Sequence, residues 1–100
     1  MITPWLFALP YYHGDARAAY LPDTAADTLQ WYLDQWVRAE EQGFEGIFFS
    51  EHHVPFHSLA PAPHLLIAAV ATRTRRLRMG VQLPGTELGV GFLDACYRLK

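Results

Sequence analysis

The sequence predicts an α/β fold built on a parallel sheet. Two short apolar runs, "WLFAL" (5–9) and "GIFFS" (46–50), and a third strand-like stretch, "LRMGVQL" (77–83), carry that expectation. Runs of this kind suit strands buried on both faces. Two segments with helical spacing separate them, which gives the order strand, helix, strand, helix, strand. Crossovers of helix length make neighbouring strands parallel and the connections right-handed.

The first strand is expected over 5–9 and is stopped by Pro10. "PYYHGDARAAYLPD" follows with turn residues and little periodicity, so it reads as a long loop. From Asp23 or Thr24 the pattern turns helical, and a helix is expected over 24–42. Leu29, Tyr32 or Leu33, Trp36 and Val37 recur at three- and four-residue spacing as one apolar stripe. Asp34, Gln35, Arg38, Glu41 and Gln42 take the opposite side. Gly43 stands where a left-handed residue would close the helix, with Phe44 able to pack back onto it.

The second strand is expected over 46–51. "VPFHSLAPAP" is then a proline-rich loop that cannot be helical at Pro55. Pro61 or Pro63 suits a first helical turn, where the missing N–H costs nothing. "HLLIAAVATRT" continues as a very apolar helix over 62–72 with a basic end at the negative pole of the dipole. The third strand is expected over 77–83, ended by Pro84 and Gly85. "VGFLDACYRL" permits a third helix over 91–99, although three preceding glycines weaken its start. All of this fits one domain, 1–100.

Composition narrows the function. Half of the 100 residues are apolar and 18% are charged, the balance of a core-forming chain. A net charge of −2 argues against nucleic acid and against a polybasic membrane surface. The apolar runs fall short of the roughly 20 residues of a membrane span. "MITPWLFALPYY" lacks the basic start and cleavage site of a signal peptide. Cys96 has no partner for an internal disulfide, and no nearby histidine makes it a nucleophile. The expectation is a cytoplasmic protein.

In parallel sheets, open or closed into barrels, function gathers at the carboxyl ends of the strands. There the second strand runs into Glu51, His52 and His53, with His57 beyond. Imidazole is the group best suited to move protons near neutral pH, and a carboxylate beside it orients the ring or raises its pKa. Neighbouring side chains of an extended segment point to opposite faces, so His52 and His53 cannot share one task. Polar rim residues without chemistry are an open alternative. A metal site from Glu51, His52, His53, His57 and His64 fits poorly, because Pro55 forbids the helical His-x-x-x-His arrangement at 53 and 57.

Tyr11, Tyr12 and His13 leave the first strand at the same rim, either lining a pocket or serving the loop. Trp31, Tyr32 and Trp36 read as packing residues. Arg73, Arg75, Arg76 and Arg78 read as a solvated basic face on the opposite rim.

"AEEQGFEGIFFSEHH" (39–53) resembles the bacterial luciferase-like flavin-dependent monooxygenases, with their A-E-x-x-G-F stretch followed by Glu-His-His. "RTRRLRMGVQLP" (73–84) is similar to the family's third strand. The resemblance implies the amino-terminal βαβαβ portion of a (β/α)8 TIM-type barrel. It implies reduced flavin, usually FMN from a separate flavin reductase and sometimes the deazaflavin F420. It also implies O2 and a small organic substrate as co-reactants, and subunit pairing as a homo- or hetero-oligomer. By position, His52 and His53 match the family's catalytic histidines. Glu51 matches an acid close to the flavin, and Gln82 and Leu83 match backbone along the isoalloxazine ring, often with a cis peptide. "GTELGVGFLDACYRLK" departs from the family pattern. The expectation is therefore a truncated barrel with little activity alone. It would be a luciferase-like oxidoreductase fragment, a non-catalytic interaction partner, or an F420-dependent reductase or dehydrogenase.

Overall fold

The computed structural model describes residues 2–15, 21–52, 58–60 and 62–82, with Gln82 described by its backbone. His53, Leu83, His57, Cys96 and the segment 91–99 lie outside the described residues. Among the described residues the elements are β1 (Trp5–Ala8), α1 (Pro22–Glu41), β2 (Gly46–Ser50), α2 (Pro63–Ala71) and β3 (Arg78–Gln82). The three strands form one parallel sheet in the order β1-β2-β3, as the alternation of apolar runs and helical spacing predicts.

Helix α1 starts slightly ahead of the expected Asp23 or Thr24. Pro22 occupies its first turn, where a fixed φ suits the helix, and Leu21 precedes it in extended backbone. No side chain caps this end. Instead the Leu21 N–H donates to the Tyr12 hydroxyl at 2.9 Å, which ties the helix start to the loop after β1. The far end closes at Gly43, whose φ of +91° only glycine adopts freely. The Phe44 N–H then returns to the Ala39 carbonyl at 3.1 Å. Helix α2 begins at Pro63 by the same logic. Its end differs from expectation, because no basic residue falls in the last turn. The Thr72 and Thr74 hydroxyls occupy the Ala69 and Val70 carbonyls, and Arg73 turns away to the Asp34 carboxylate at 2.9 Å.

Both helices cover one face of the sheet. Ala8, Ile47, Phe49 and Met79 from the strands pack with Trp36 and Ala39 of α1, Ile67 and Val70 of α2, and Leu77. Ile47, Phe49 and Val70 are fully buried. A phenylalanine buried to this degree contributes roughly 2–3 kcal/mol by burial alone.

The other face is only partly covered among the described residues, although Gly46, Ser50 and Gly80 on it are buried. Phe7 is 51% exposed and Phe48 37% exposed. Strand alternation puts Trp5, Phe7, Gly46, Phe48, Arg78 and Gly80 on this face, and the described residues supply no layer to cover it. Its aromatic rings instead cover the neighbouring strand's glycines. Trp5 pairs with Gly46 and Phe48 with Gly80, and in each pair the ring fills the space a β-carbon would need. The Trp5 and Phe48 rings meet at 4.9 Å, and the Arg78 guanidinium stands 5.7 Å from the Trp5 ring centroid.

Candidate active site at the carboxyl ends of the strands

The site is built where β1, β2 and β3 finish side by side, at Ala8, Ser50 and Gln82. Ser50 is buried, and its hydroxyl donates to the Ala8 carbonyl at 3.0 Å, locking the tips of β1 and β2 together. Gln82 is the register partner of Ser50 on the other side. Beyond the tips, residues 58–60 fold back between the two exits. The Leu59 N–H donates to the Pro10 carbonyl at 2.9 Å, Tyr11 bridges Ser58, and the His52 N–H donates to the Ala60 carbonyl at 3.0 Å. Neither this return segment nor the role of Ser50 was legible in the sequence, where both read as ordinary loop or strand residues.

The predicted site residues divide as follows. His52 is exposed while its backbone is held, and Glu51 is half-buried. Continued strand alternation puts position 52 on the face of Phe48 and position 51 on the helical face. Gln82 closes β3. His53 and Leu83 lie outside the described residues, as does the peptide bond where a cis form was expected. Among the described residues no cis peptide occurs. No three His, Cys, Asp or Glu among them are placed to hold a metal ion. No described helix is long and apolar enough to cross a membrane.

Of the three rim residues after β1, Tyr12 is buried, and its hydroxyl receives the Leu21 N–H. The His13 ring packs on Trp31 at 5.2 Å and Tyr32 at 5.4 Å, so it serves helix α1. Tyr11 is 43% exposed.

Among the described residues the positive charges gather at one end. Arg38, Arg73, Arg75, Arg76 and Arg78 all lie at the opposite end, around the start of β3 and the end of α1. There the Glu40 carboxylate accepts the N–H groups of Arg75, Arg76 and Leu77. Burial works to raise the Glu40 pKa, but those three N–H groups and the Arg76 charge outweigh it and hold the pKa below the ordinary glutamate range. Sequence reading missed this role.

The residues at this rim suit a flat, largely apolar ring such as that of a flavin. Exposed phenylalanines on the open face offer an apolar floor, and a held imidazole position stands at the rim. Among the described residues no lysine or arginine stands at that rim to meet a phosphate.

Residues 9–82 match the luciferase-like monooxygenase family. The chain belongs to that family. The N-acetyl-S-alkylcysteine monooxygenase of Bacillus subtilis is 37% identical over 57 residues, which is 57% of this chain and 17% of that protein. The uncharacterized protein y4wF of Sinorhizobium fredii is 40% identical over 52 residues, 49% of this chain and 15% of its own length. The FMN complex of the oxygenating constituent of 3,6-diketocamphane monooxygenase from Pseudomonas putida superposes with a TM-score of 0.64 at 25% identity. That match covers 79% of this chain and 20% of the other. The apo-MsnO8 crystal structure has the same TM-score at 24% identity, covering 81% of this chain and 22% of the other. The chain thus spans less than a quarter of the length of these luciferase-like relatives. The fold is the amino-terminal βαβαβ portion of their barrel.

Proposed function

We propose that this chain forms the flavin-facing part of a monooxygenase that uses reduced flavin and O2 to oxidise a small organic substrate. One observation carries the reading: in a luciferase-like chain Glu51 and His52 directly follow β2, with the His52 backbone held by Ala60 and the residue exposed at the rim. FMN is the flavin proposed, since it is bound in the related diketocamphane enzyme. Bound there, it would supply the oxygen-activating chemistry. His52 would hold or release a proton at a ring nitrogen, and His53 would serve activity in a separate task. Glu51 would stand close to the flavin, and the backbone at Gln82 and Leu83 would lie along the ring. Phe48 and Phe7 would exclude water beneath it. A flavin reductase would deliver the reduced cofactor, and the chain would pair as a homo- or hetero-oligomer.

The test is a fluorescence titration of the chain with FMN and, in parallel, with F420. Saturable FMN binding is expected, kept in His52→Ala while substrate oxidation is lost. Binding of F420 alone would move the reading to a reductase or dehydrogenase. Binding of neither would sink it and favour an interaction role.

A further inference from the structure

Four aromatic rings form an unbroken line from the core face of β2 to the surface of α1. Phe49 meets Trp36 edge-on at 5.0 Å, and Trp36 stacks on Tyr32 at 5.5 Å. Tyr32 in turn meets Trp31 edge-on at 5.0 Å. Burial falls along the line: Phe49 and Trp36 are buried, Tyr32 is half-buried, and Trp31 is 50% exposed. The inner end is adjacent in sequence to Ser50 and lies just before Glu51 and His52. Packing alone explains Trp36. It does not explain why the oxidisable side chains continue outward to an exposed indole.

We infer that Trp36, Tyr32 and Trp31 form a radical relay that carries a stray oxidising equivalent away from the tip of β2 to the surface. Indole and phenol are the aromatic side chains that lose one electron most readily. Phe49 is not oxidised and serves as the bridge between β2 and Trp36. The oxidant is an oxygen-centred radical, the class that unproductive reaction of O2 at the proposed flavin site would release. This source rests on the functional reading above, whereas the relay itself does not.

The oxygen radical takes one electron from Trp36 and becomes an anion, leaving an indole radical cation. Tyr32 returns an electron to Trp36, and its phenolic proton passes to water, leaving a neutral tyrosyl radical. A dissolved thiol gives that oxygen a hydrogen atom and leaves as a thiyl radical. Trp31 shares the exposed end, exchanging an electron with Tyr32. Burial disfavours the charged radical at Trp36, while water stabilises charge and accepts protons at Tyr32 and Trp31, so the equivalent moves outward. The Tyr32 oxygen is held in place by the Tyr11 N–H at 3.3 Å.

Laser photoionisation of Trp36 in the Trp5→Phe, Trp31→Phe chain tests this without any flavin. The Trp36 radical should decay in a first-order, concentration-independent phase while tyrosyl absorbance grows to match it. Tyr32→Phe, which keeps the stacked ring, should remove the tyrosyl signal and slow the decay at least tenfold. If the double variant does not fold, Tyr32→Phe in the otherwise unchanged chain should abolish most of the tyrosyl yield. Equal decay with and without Tyr32, or an undiminished tyrosyl yield, would overturn the relay whatever the flavin titration gives.

Discussion

The carboxylate of Glu40, at the end of α1, accepts the backbone N–H of Leu77 at 2.7 Å. It also takes the N–H groups of Arg75 at 3.0 Å and Arg76 at 2.5 Å. One side chain thereby fixes the loop that launches β3. Glu40→Ala should lower stability by about 2 kcal/mol, the scale of hydrogen bonds to a charged group, and Glu40→Gln by less. Urea midpoints check both. An unchanged midpoint in Glu40→Ala would remove the latch.

The same carboxylate predicts a pH dependence. Its folded pKa is depressed below the ordinary glutamate value. Its contribution is therefore complete above the unfolded pKa and is lost as pH falls through the lower folded one. Stability of the unmodified chain should drop more steeply across that acid range than stability of Glu40→Gln. Urea titrations at stepped pH would show the two curves converging at the acid end.

Asp34 makes a useful contrast. The bond from Arg73 is the main cause that holds its carboxyl below the usual range. Both side chains are more than two-fifths exposed, so water and salt screen the pair. Asp34→Asn should leave the urea midpoint unchanged within error, in low salt and in high.

The glycines under aromatic rings predict an order of damage. The nearest atoms to a β-carbon on Gly80 are those of the Phe48 ring, which is partly exposed and can swing aside. On Gly46 it meets the Trp5 ring and also the Arg78 carbonyl oxygen at 2.6 Å, which cannot move without shifting β3. Gly46→Ala should cost roughly 1–3 kcal/mol and Gly80→Ala less. Reversal of that order in thermal unfolding would contradict the geometry.

The two faces of the sheet should answer differently to truncation. Phe49→Ala empties a fully buried site and should cost about 3–5 kcal/mol. The chain alone should self-associate through its open face, and Phe7→Ser with Phe48→Ser should shift it toward monomer in light scattering. A monomeric unmodified chain would refute this.

Local pattern was enough to read the order of strands and helices, because apolar runs and helical spacing are local signals. The α1 stop at Gly43 was readable for the same reason. The tip of β2 was readable as a candidate site because strand ends collect function in parallel sheets. Glu40 was not readable, since its partners lie on another element and only folding brings them together. Nor was the difference between the faces of β2: Ile47 and Phe48 are both apolar, and the placement of the helices decides which is covered. His13 read as a rim residue, but its ring belongs to the aromatic cluster on α1.

The parallel pairing of Trp5 with Gly46 also dictates an order of assembly. No hairpin turn can bring those strands together, so their first hydrogen bond must wait until the intervening chain has shortened into α1. Helix formation thus becomes the clock for the sheet. A nascent chain emerging in sequence order would hold β1 idle, its apolar side chains unsheltered, until the residues of α1 and β2 had followed it out.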